Sequence, residues 1–133
     1  MLNAVIDTNV IVSSNLKKYG NPTDVMELFY SSKLRLYYTS EILSEYVRVL
    51  SYIKLNIAIE EQIDIINAIR EGGILIEPPK NDIPFNHEPD RIFYDTAKES
   101  GSILITGNIR HYPTEPFIMT PSDFLNNMIG TMD

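Results

Sequence analysis

Short apolar runs alternate along this chain with segments whose apolar residues recur at helical spacing. The runs predict five short strands, at residues 2–6, 34–38, 74–76, 103–106 and 117–119. The spacing predicts a short helix or turn near 8–15, helices near 21–31, 40–50, 59–71 and 90–100, and a last helix from 121 onward. Most strand segments are continuously apolar, which is typical of a parallel sheet with helices on both faces. We therefore expect a three-layer α/β/α fold, Rossmann-like, around a mainly parallel sheet of four to five strands.

Residues that start and stop helices stand at several of these boundaries. Asn21 and Ser40 are the expected N-caps of two helices, and Thr120 is the expected N-cap of the last one. Gly101 is expected to end the helix that precedes the fourth strand. Residues 77–89 contain four prolines and no periodicity, so this segment is predicted to be a loop.

Length and composition narrow the class of protein. The chain has 133 residues, which fits a single domain over residues 1–133. It contains no cysteine, which excludes a thiolate nucleophile and cysteine-based zinc sites. The N-terminus does not resemble a signal peptide, and no apolar run approaches the roughly 18 residues that indicate a membrane span. We therefore expect a cytoplasmic protein with no membrane partner.

The formal net charge of −7 argues against a general nucleic-acid binder, because phosphate binding relies mostly on cationic side chains. It does not argue against an enzyme that contacts phosphate through a bound metal, since clustered carboxylates for Mg²⁺ or Mn²⁺ would account for part of the excess. The alternative is a negative surface that only aids solubility.

Polar side chains that follow apolar strands are predicted to meet at one edge of the sheet. Asp7 comes directly after the first strand, and Thr106 and Asn108 stand at the end of the fourth. In open α/β sheets the carboxyl ends of the strands share one crevice, and the following helices begin at the same edge. Asp90, at a helix start, and Glu45, on the second turn of a helix, are expected at that edge as well.

Most of these side chains, taken singly, have an ordinary structural explanation. An acid at a helix start, such as Asp90, usually interacts with the helix dipole, and an acid on a helix, such as Glu45, is usually solvated. Asp7 is different, because an acid that ends a buried strand loses hydration energy unless another group compensates it. A divalent metal is a natural compensator.

Four short motifs, in this order along the chain, resemble those of the PIN-domain nucleases. They are Asp7-Thr8-Asn9 after the first strand, Glu45 in the helix after the second, Asp90-Arg91-Ile92-Phe93 in the next-to-last helix, and Thr106-Gly107-Asn108 near the C-terminus. The run from Ile105 to Pro113 is similar to that of the bacterial VapC-like toxins of toxin–antitoxin pairs. The resemblance covers about residues 2–125, and its specificity lies in the order and spacing of the motifs.

The resemblance implies a divalent-metal-dependent endoribonuclease. Asp7, Glu45 and Asp90 would be the acidic ligands of Mg²⁺ or Mn²⁺, and a metal-activated water would hydrolyse the phosphodiester bond. Asn108 stands where many members have a fourth acid, and its uncharged oxygen would bind a second metal more weakly. Asp95 is a candidate for a partial substitute, although helical geometry turns it about 140° away from Asp90.

The same resemblance implies an RNA substrate and a small antitoxin protein as a partner. Many members of this branch are homodimers, so a second copy of the chain is a further expected partner.

Several residues are expected around the acidic ligands. Thr8, Asn9 and Thr106 would orient the carboxylates, and the alternative is that they cap the helix and the loop that follow the two strands.

The cations nearest this edge in sequence would contact phosphate, although a plain surface location is ordinary for each of them: Lys17, Lys18, Arg91 and Arg110. His111 would lie near RNA in one interpretation and in a packed turn in the other. His87 is expected to be solvated, and Tyr46 is expected in the core.

Three other functions fit parts of the pattern. Haloacid-type phosphatases also have an acid after the first strand, but they need a second aspartate where this chain has Asn9, and a lysine that is absent between 99 and 133. A phosphoreceiver domain needs an aspartate after the third strand, where this chain has Glu77. A degenerate PIN domain that binds RNA or a partner protein without cleavage stays open because of Asn108.

Overall fold

Five parallel strands form one sheet in the computed structural model, which describes residues 1–80, 82–85, 87–128 and 130. In chain order they are β1 (Leu2–Ile6), β2 (Leu34–Tyr38), β3 (Ile74–Leu75), β4 (Ile103–Ile105) and β5 (Ile118–Met119). Their order across the sheet is β3-β2-β1-β4-β5, and every neighbouring pair is parallel. The predicted parallel sheet is confirmed, with β1 at its centre.

Six α-helices surround the sheet in the described part of the chain. They are α1 (Thr8–Leu16), α2 (Asn21–Tyr30), α3 (Ser40–Leu50), α4 (Ile59–Gly72), α5 (Arg91–Ser100) and α6 (Pro121–Met128). Single turns of 3-10 helix lie at Ile53–Leu55, Glu88–Asp90 and Ile109–His111. Helix α5 packs against β1, β2 and β4, and α2 packs against α1, α6 and β2. This arrangement confirms the three-layer α/β fold.

No α-helix among the described residues is both long enough and apolar enough to cross a membrane.

Strand β1 is central because its second half is apolar on both faces. Ala4, Val5 and Ile6 are each 0% exposed. Fully burying a valine or isoleucine side chain contributes roughly 1.5–3 kcal/mol, so this short run is a strong determinant of the sheet centre. Asp7 directly follows this run, so it lies at the end of a strand from which water is excluded.

The topology creates a switch point beside β1. The chain leaves β1 to build β2 and β3 on one side of it and later returns to build β4 and β5 on the other side. In such sheets the crevice outside the carboxyl ends of the two central strands is the usual ligand site. The end of β1 and the end of β4 therefore define the functional edge of this molecule.

Two of the three predicted helix N-caps are wrong by one residue. Gly20, with φ of 140°, is the N-cap of α2, and Asn21 is already in the helix. Thr39 is the N-cap of α3, and its hydroxyl accepts a hydrogen bond from the Ile42 N–H at 2.9 Å. An N-cap needs extended backbone, which Thr39 has, whereas Ser40 is the first helical residue. The prediction for the last helix is confirmed, since Thr120 Oγ1 accepts from the Asp123 N–H at 3.1 Å.

The predicted third strand is shorter and more exposed than its apolar sequence indicates. β3 comprises Ile74 and Leu75, which are 36% and 55% exposed, because it lies at the edge of the sheet. Short edge strands offer few unpaired backbone groups to other chains. The apolar repeat of α4 is also only partly buried, since Ile65 and Ile69 are buried but Ile63 is 51% exposed.

The start of the next-to-last helix also differs from the prediction. Asp90 is the last residue of the 3-10 turn Glu88–Asp90, and α5 begins at Arg91. The predicted end of that helix is confirmed, because Gly101 adopts a left-handed φ of 64° there.

The Thr39 cap predicts a specific pattern of stability. We expect Thr39→Ala to lower the free energy of unfolding by about 1–2 kcal/mol, because it leaves the Ile42 N–H without its acceptor. Ser40→Ala removes an exposed hydroxyl that donates to Glu77, so its effect should stay within about 0.5 kcal/mol. Urea unfolding of both variants checks this, with Thr39→Ser as the variant that keeps the cap. A larger loss for Ser40→Ala would contradict the assignment.

Candidate metal centre

The ends of β1 and β4 are joined directly at the switch point. The Asp7 N–H donates to the Ile105 carbonyl oxygen at 2.9 Å, which continues the parallel pairing by one residue. The Thr106 N–H donates to the Met119 carbonyl oxygen at 3.0 Å on the other side. Asp7 and Thr106 therefore stand next to each other at the carboxyl edge of the sheet, as the sequence predicts.

The Asp7 carboxylate is buried and held by two hydroxyl groups. Asp7 is only 5% exposed. Its Oδ2 accepts hydrogen bonds from Thr106 Oγ1 and from Tyr112 Oη, each at 2.8 Å. Burial raises the pKa of Asp7 above its ordinary value of 3.8, and the charge of Asp90 raises it further, while the hydrogen bonds lower it in part. The net direction is upward, so this carboxylate lacks sufficient compensation for its charge.

Glu45 reaches the same edge from α3. Thr8, the first residue of α1, donates its hydroxyl hydrogen bond to Glu45 Oε2, and Arg48 Nη2 lies 3.7 Å from Glu45 Oε1. Desolvation raises the pKa of Glu45, and the charges of Asp7 and Asp90 act in the same direction, against the Thr8 hydrogen bond and Arg48. The glutamate is thus oriented by one hydroxyl and electrostatically coupled to both aspartates.

Asp90 comes from a third segment. It ends the 3-10 turn that precedes α5, and its Oδ2 lies 3.0 Å from His111 Nδ1. Its negative charge raises the pKa of both Asp7 and Glu45. Three acids from three separate segments, Asp7, Glu45 and Asp90, therefore influence one another at the switch point.

The donor set fits a hard divalent cation. Three carboxylates supply oxygen ligands and negative charge, which are what Mg²⁺ and Mn²⁺ select. Burial is the main cause of the raised pKa of Asp7 and of Glu45, and the charges of neighbouring acids add to it, so a cation would stabilise the charged form of both carboxylates. Asp7, Glu45 and Asp90 are thus candidate ligands for such an ion.

Two buried tyrosines support the acidic edge, and the sequence did not assign them this role. Tyr112 donates to Asp7, and burial together with the nearby charges raises its pKa far above the ordinary value. Tyr46 donates to the Ile6 carbonyl oxygen, and burial is again the main cause of its raised pKa. Tyr46 directly follows Glu45 and is 0% exposed, so its core position is as expected, but its contact with the end of β1 depends on the fold.

The residues predicted to orient the carboxylates contact them or the loops beside them. Thr8 donates to Glu45, and Thr106 donates to Asp7 while accepting from the Asn108 N–H at 3.0 Å. Asn9 holds the loop after β4, because its Oδ1 accepts from the Gly107 N–H at 2.8 Å. Thr106 therefore contacts both the Asp7 carboxylate and the backbone of the loop after β4.

Asn108 and Asp95 lie at different places around this edge. Asn108 is exposed and reaches the network through its backbone N–H, which donates to Thr106. Asp95 is buried on α5 and lines a cleft of 720 Å³ together with Glu45 and Arg91. The roles predicted for these two residues stay predictions.

The predicted phosphate-binding cations are spread over several segments. Lys17 and Lys18 lie in the exposed loop between α1 and α2, with Lys18 Nζ 5.7 Å from the Tyr19 ring centre. Arg91, the first residue of α5, forms an ion pair with Glu88 at 2.6 Å and donates a hydrogen bond to the Ile83 carbonyl oxygen. It therefore links the proline-rich segment to α5.

Arg110 is exposed within the 3-10 turn Ile109–His111. Two cations that the sequence pattern does not predict to contact phosphate, Arg48 and Lys80, line the cleft beside Glu45.

The two histidines lie together. The rings of His87 and His111 stack with centroids 3.8 Å apart and an interplanar angle of 14°. His87 is exposed, as expected, but it is not simply solvated. No sequence signal joins these two positions, because their proximity follows from the packing of the proline-rich segment against the loop after β4.

The fold and this edge define a Rossmann-like α/β domain with an acidic pocket at its switch point. Residues 3–110 match the family model described as PIN domain, and the chain belongs to that family. The protein named "Uncharacterized protein MJ1680", from Methanocaldococcus jannaschii, is 31% identical over 110 residues. That match covers 80% of this chain and 71% of the relative. The PIN domain is a nuclease-type fold whose members are commonly metal-dependent ribonucleases.

The raised pKa of Asp7 predicts how stability depends on pH when a chelator removes metal. The folded-state pKa lies above 3.8, so the native protein binds this proton more tightly than the unfolded chain does. The resulting stabilisation is complete below pH 3.8 and is lost as the pH rises through the folded-state pKa. Glu45 contributes with the same sign.

The melting temperature of wild type minus that of Asp7→Asn isolates this effect. In EDTA we expect the difference to fall as the pH rises from about 4 to about 7, because only the wild type acquires the buried charge. A difference that stays constant, or that grows with pH, would contradict the assigned direction.

Proposed function

We propose that this chain is a divalent-metal-dependent endoribonuclease, formed as a single domain over residues 1–133, in which Asp7, Glu45 and Asp90 hold Mg²⁺ or Mn²⁺. The observation that carries this proposal is the electrostatic coupling of three carboxylates at the switch point of a PIN domain. An acid whose pKa is raised by burial, and further by acidic neighbours, destabilises the folded chain when it is charged, unless a cation compensates that charge.

A bound divalent metal supplies activation of a water molecule and neutralises charge on the phosphate oxygens. The protein's own contribution is to orient the carboxylates before the ion and the substrate arrive. Thr106 and Tyr112 orient Oδ2 of Asp7, and Thr8 orients Oε2 of Glu45. Such outer hydrogen bonds determine ligand orientation in metal sites.

Tyr112 is well suited to this task because of its protonation state. Burial, Asp7 and Asp90 all raise its pKa, so its hydroxyl keeps its proton throughout the neutral range. It therefore remains a donor to Asp7 Oδ2 and cannot add a further negative charge to the pocket.

The cleft beside Glu45 supports a phosphate-bearing substrate. It lies between α3 and the segment that leads into α5, and Arg48 and Lys80 are among its lining residues. Their side chains are 60% and 75% exposed, respectively. Exposed cations beside an acidic metal pocket fit an RNA backbone, whose phosphates such side chains position without reading sequence.

The proposal extends to a VapC-like toxin that acts in the cytoplasm, is inhibited by an antitoxin protein and forms homodimers. Its support is the similarity of residues 105–113 to that branch, together with exposed apolar side chains between 47 and 63. Val47 is 47%, Ile53 95%, Ile59 58% and Ile63 51% exposed. Contiguous apolar surface is characteristic of protein contacts, so we place the dimer contact on these residues as part of the proposal. Size-exclusion chromatography with light scattering tests the dimer, and a monomeric mass would contradict it.

Asn108 favours a second candidate function. It brings an amide to the position at which many PIN nucleases have an acid, so the pocket carries one charge fewer. A degenerate PIN domain would bind RNA or a protein without cleaving RNA. The two candidates differ in one observable, which is metal-dependent cleavage by the purified wild-type chain.

An RNA-cleavage assay with a matched pair of variants tests the ribonuclease function. With Mg²⁺ or Mn²⁺ we expect the wild type to cleave a mixed RNA pool, and Asp7→Asn to be slower by about 100-fold or more, because a buried charged ligand is lost. Asp64→Asn removes an exposed acid of α4 and should retain the wild-type rate. Mn²⁺ should raise the melting temperature of the wild type and of Asp64→Asn, but not that of Asp7→Asn.

Cleavage that persists in Asp7→Asn would rule out the ligand set. Absence of cleavage in the wild type, with the Mn²⁺ shift intact, would favour the degenerate domain. In that case Asn108→Asp restores the missing charge and should produce or accelerate cleavage.

The hydrogen bond from Tyr112 gives a separate prediction. Tyr112→Phe keeps the buried ring but removes the donor to Asp7, so we expect Mn²⁺ affinity or cleavage to fall about 10–100-fold, as is usual for outer partners of metal ligands. Tyr37→Phe, at a partly buried position of β2, is the control. Metal titrations followed by melting temperature measure the affinity, and equal affinities of the two variants would contradict the role of Tyr112.

A further inference from the structure

His87, Asp90 and His111 form a second group of potential metal ligands beside the acidic pocket. One nitrogen of each imidazole and one oxygen of the carboxylate all lie within 4.8 Å of one another. The sequence contains only these two histidines and no cysteine. Both imidazoles of the chain therefore lie at one place, and the chain has no thiolate to offer a metal.

Two 3-10 turns fix the backbone of these residues. His87 precedes the turn Glu88–Asp90, and its carbonyl oxygen accepts from the Asp90 N–H at 2.9 Å. His111 ends the turn Ile109–His111, and its N–H donates to the Asn108 carbonyl oxygen at 2.9 Å. Asp90 and His111 thus project from short, hydrogen-bonded turns, and His87 directly precedes one of them.

One distance within the group, which is that of a hydrogen bond, also suits two ligands of the same ion. His111 Nδ1 and Asp90 Oδ2 are 3.0 Å apart. Two ligand atoms bound about 2.1 Å from one ion are separated by roughly 3.0–3.4 Å at octahedral to tetrahedral angles. The contact between His111 and Asp90 is therefore compatible with an ion that both residues bind.

The stacked rings require one adjustment. The lone pairs of an imidazole lie in the plane of the ring, so two parallel rings direct their lone pairs along parallel lines. His87 must turn its ring to bring a nitrogen toward the same ion as His111. Its side chain is exposed, so neighbouring core residues do not oppose that rotation.

We propose that His87, Asp90 and His111 form a binding site for a borderline transition-metal ion, for which Zn²⁺ is the probe. Two imidazoles and one carboxylate are a common zinc donor set, which leaves a further coordination position for water. Imidazole ligands distinguish this site from the oxygen-only set of Asp7, Glu45 and Asp90, which prefers Mg²⁺ or Mn²⁺. The site does not depend on ribonuclease activity.

Titration calorimetry with ZnCl₂ on protein from which any histidine tag has been removed tests the site. We expect one equivalent of Zn²⁺ to bind to the wild type, and His87→Gln and His111→Gln each to weaken binding by at least about tenfold, because each removes a ligand. Asp7→Asn should weaken zinc binding much less than either histidine variant does, because it removes a neighbouring charge and no ligand of this site. Co²⁺ should produce a visible absorption band in the wild type that is stronger than that of the aqueous ion and is lost in both histidine variants.

The controls separate this site from the acidic pocket. His87→Gln changes an exposed residue, so its melting temperature without metal should match that of the wild type, and it should retain the Mn²⁺-induced shift. Zinc binding that both histidine variants retain would overturn the assignment, as would an absence of zinc binding to the wild type. Loss of zinc binding in Asp7→Asn would also overturn it, because the ion would then belong to the acidic pocket. Failure of RNA cleavage with this zinc pattern intact would count against the ribonuclease function alone.

Discussion

The negative charge of Asp7 must be balanced at the end of a strand from which water is excluded. The apolar residues of β1 place this carboxylate at the centre of the sheet, where hydration is lost. Two hydroxyl groups donate to it, yet its pKa remains raised, so these hydrogen bonds compensate only part of the cost. Both donors, Thr106 and Tyr112, come from the segment that includes and follows β4. The pairing of β1 with β4 therefore assembles the pocket at the same time as the sheet.

The strands and helices of each layer were predictable because each segment shows its own apolar run or helical spacing of apolar residues. The bounds of β1 and β2 follow directly from apolar runs, and Gly101 marks the end of α5. Features that depend on position within the sheet were not predictable in this way. Strand β3 has the continuously apolar sequence of an interior strand but lies at the edge of the sheet. The N-cap of α3 is Thr39 because β2 ends at the residue before it, Tyr38. Adjacent hydroxyl residues, Thr39 and Ser40, cannot be distinguished as caps without knowing where the extended backbone ends.

Part of the candidate site was also predictable, for a topological reason. Carboxyl ends of parallel strands converge, so Asp7 and Thr106 were expected to meet, and they form a hydrogen bond. The contributions of Tyr112 and of the histidine pair depend on loops that fold back on the edge, for which periodicity gives no signal. Tyr112 in the sequence looks like any aromatic residue in a turn. Only the packing of the loop after β4 directs its hydroxyl toward Asp7.

Asp90 belongs to two proposed donor sets with different metal preferences. With Asp7 and Glu45 it would contribute oxygen ligands and charge to the Mg²⁺ or Mn²⁺ site, and with His87 and His111 it would complete the zinc site. An ion held by the histidines would neutralise part of the Asp90 charge, and that charge now raises the pKa of Asp7 and Glu45. The acidic pocket would then attract a hard cation less strongly, and linkage requires the hard cation to weaken zinc binding by the same factor. This coupling arises because one carboxylate is common to both sites.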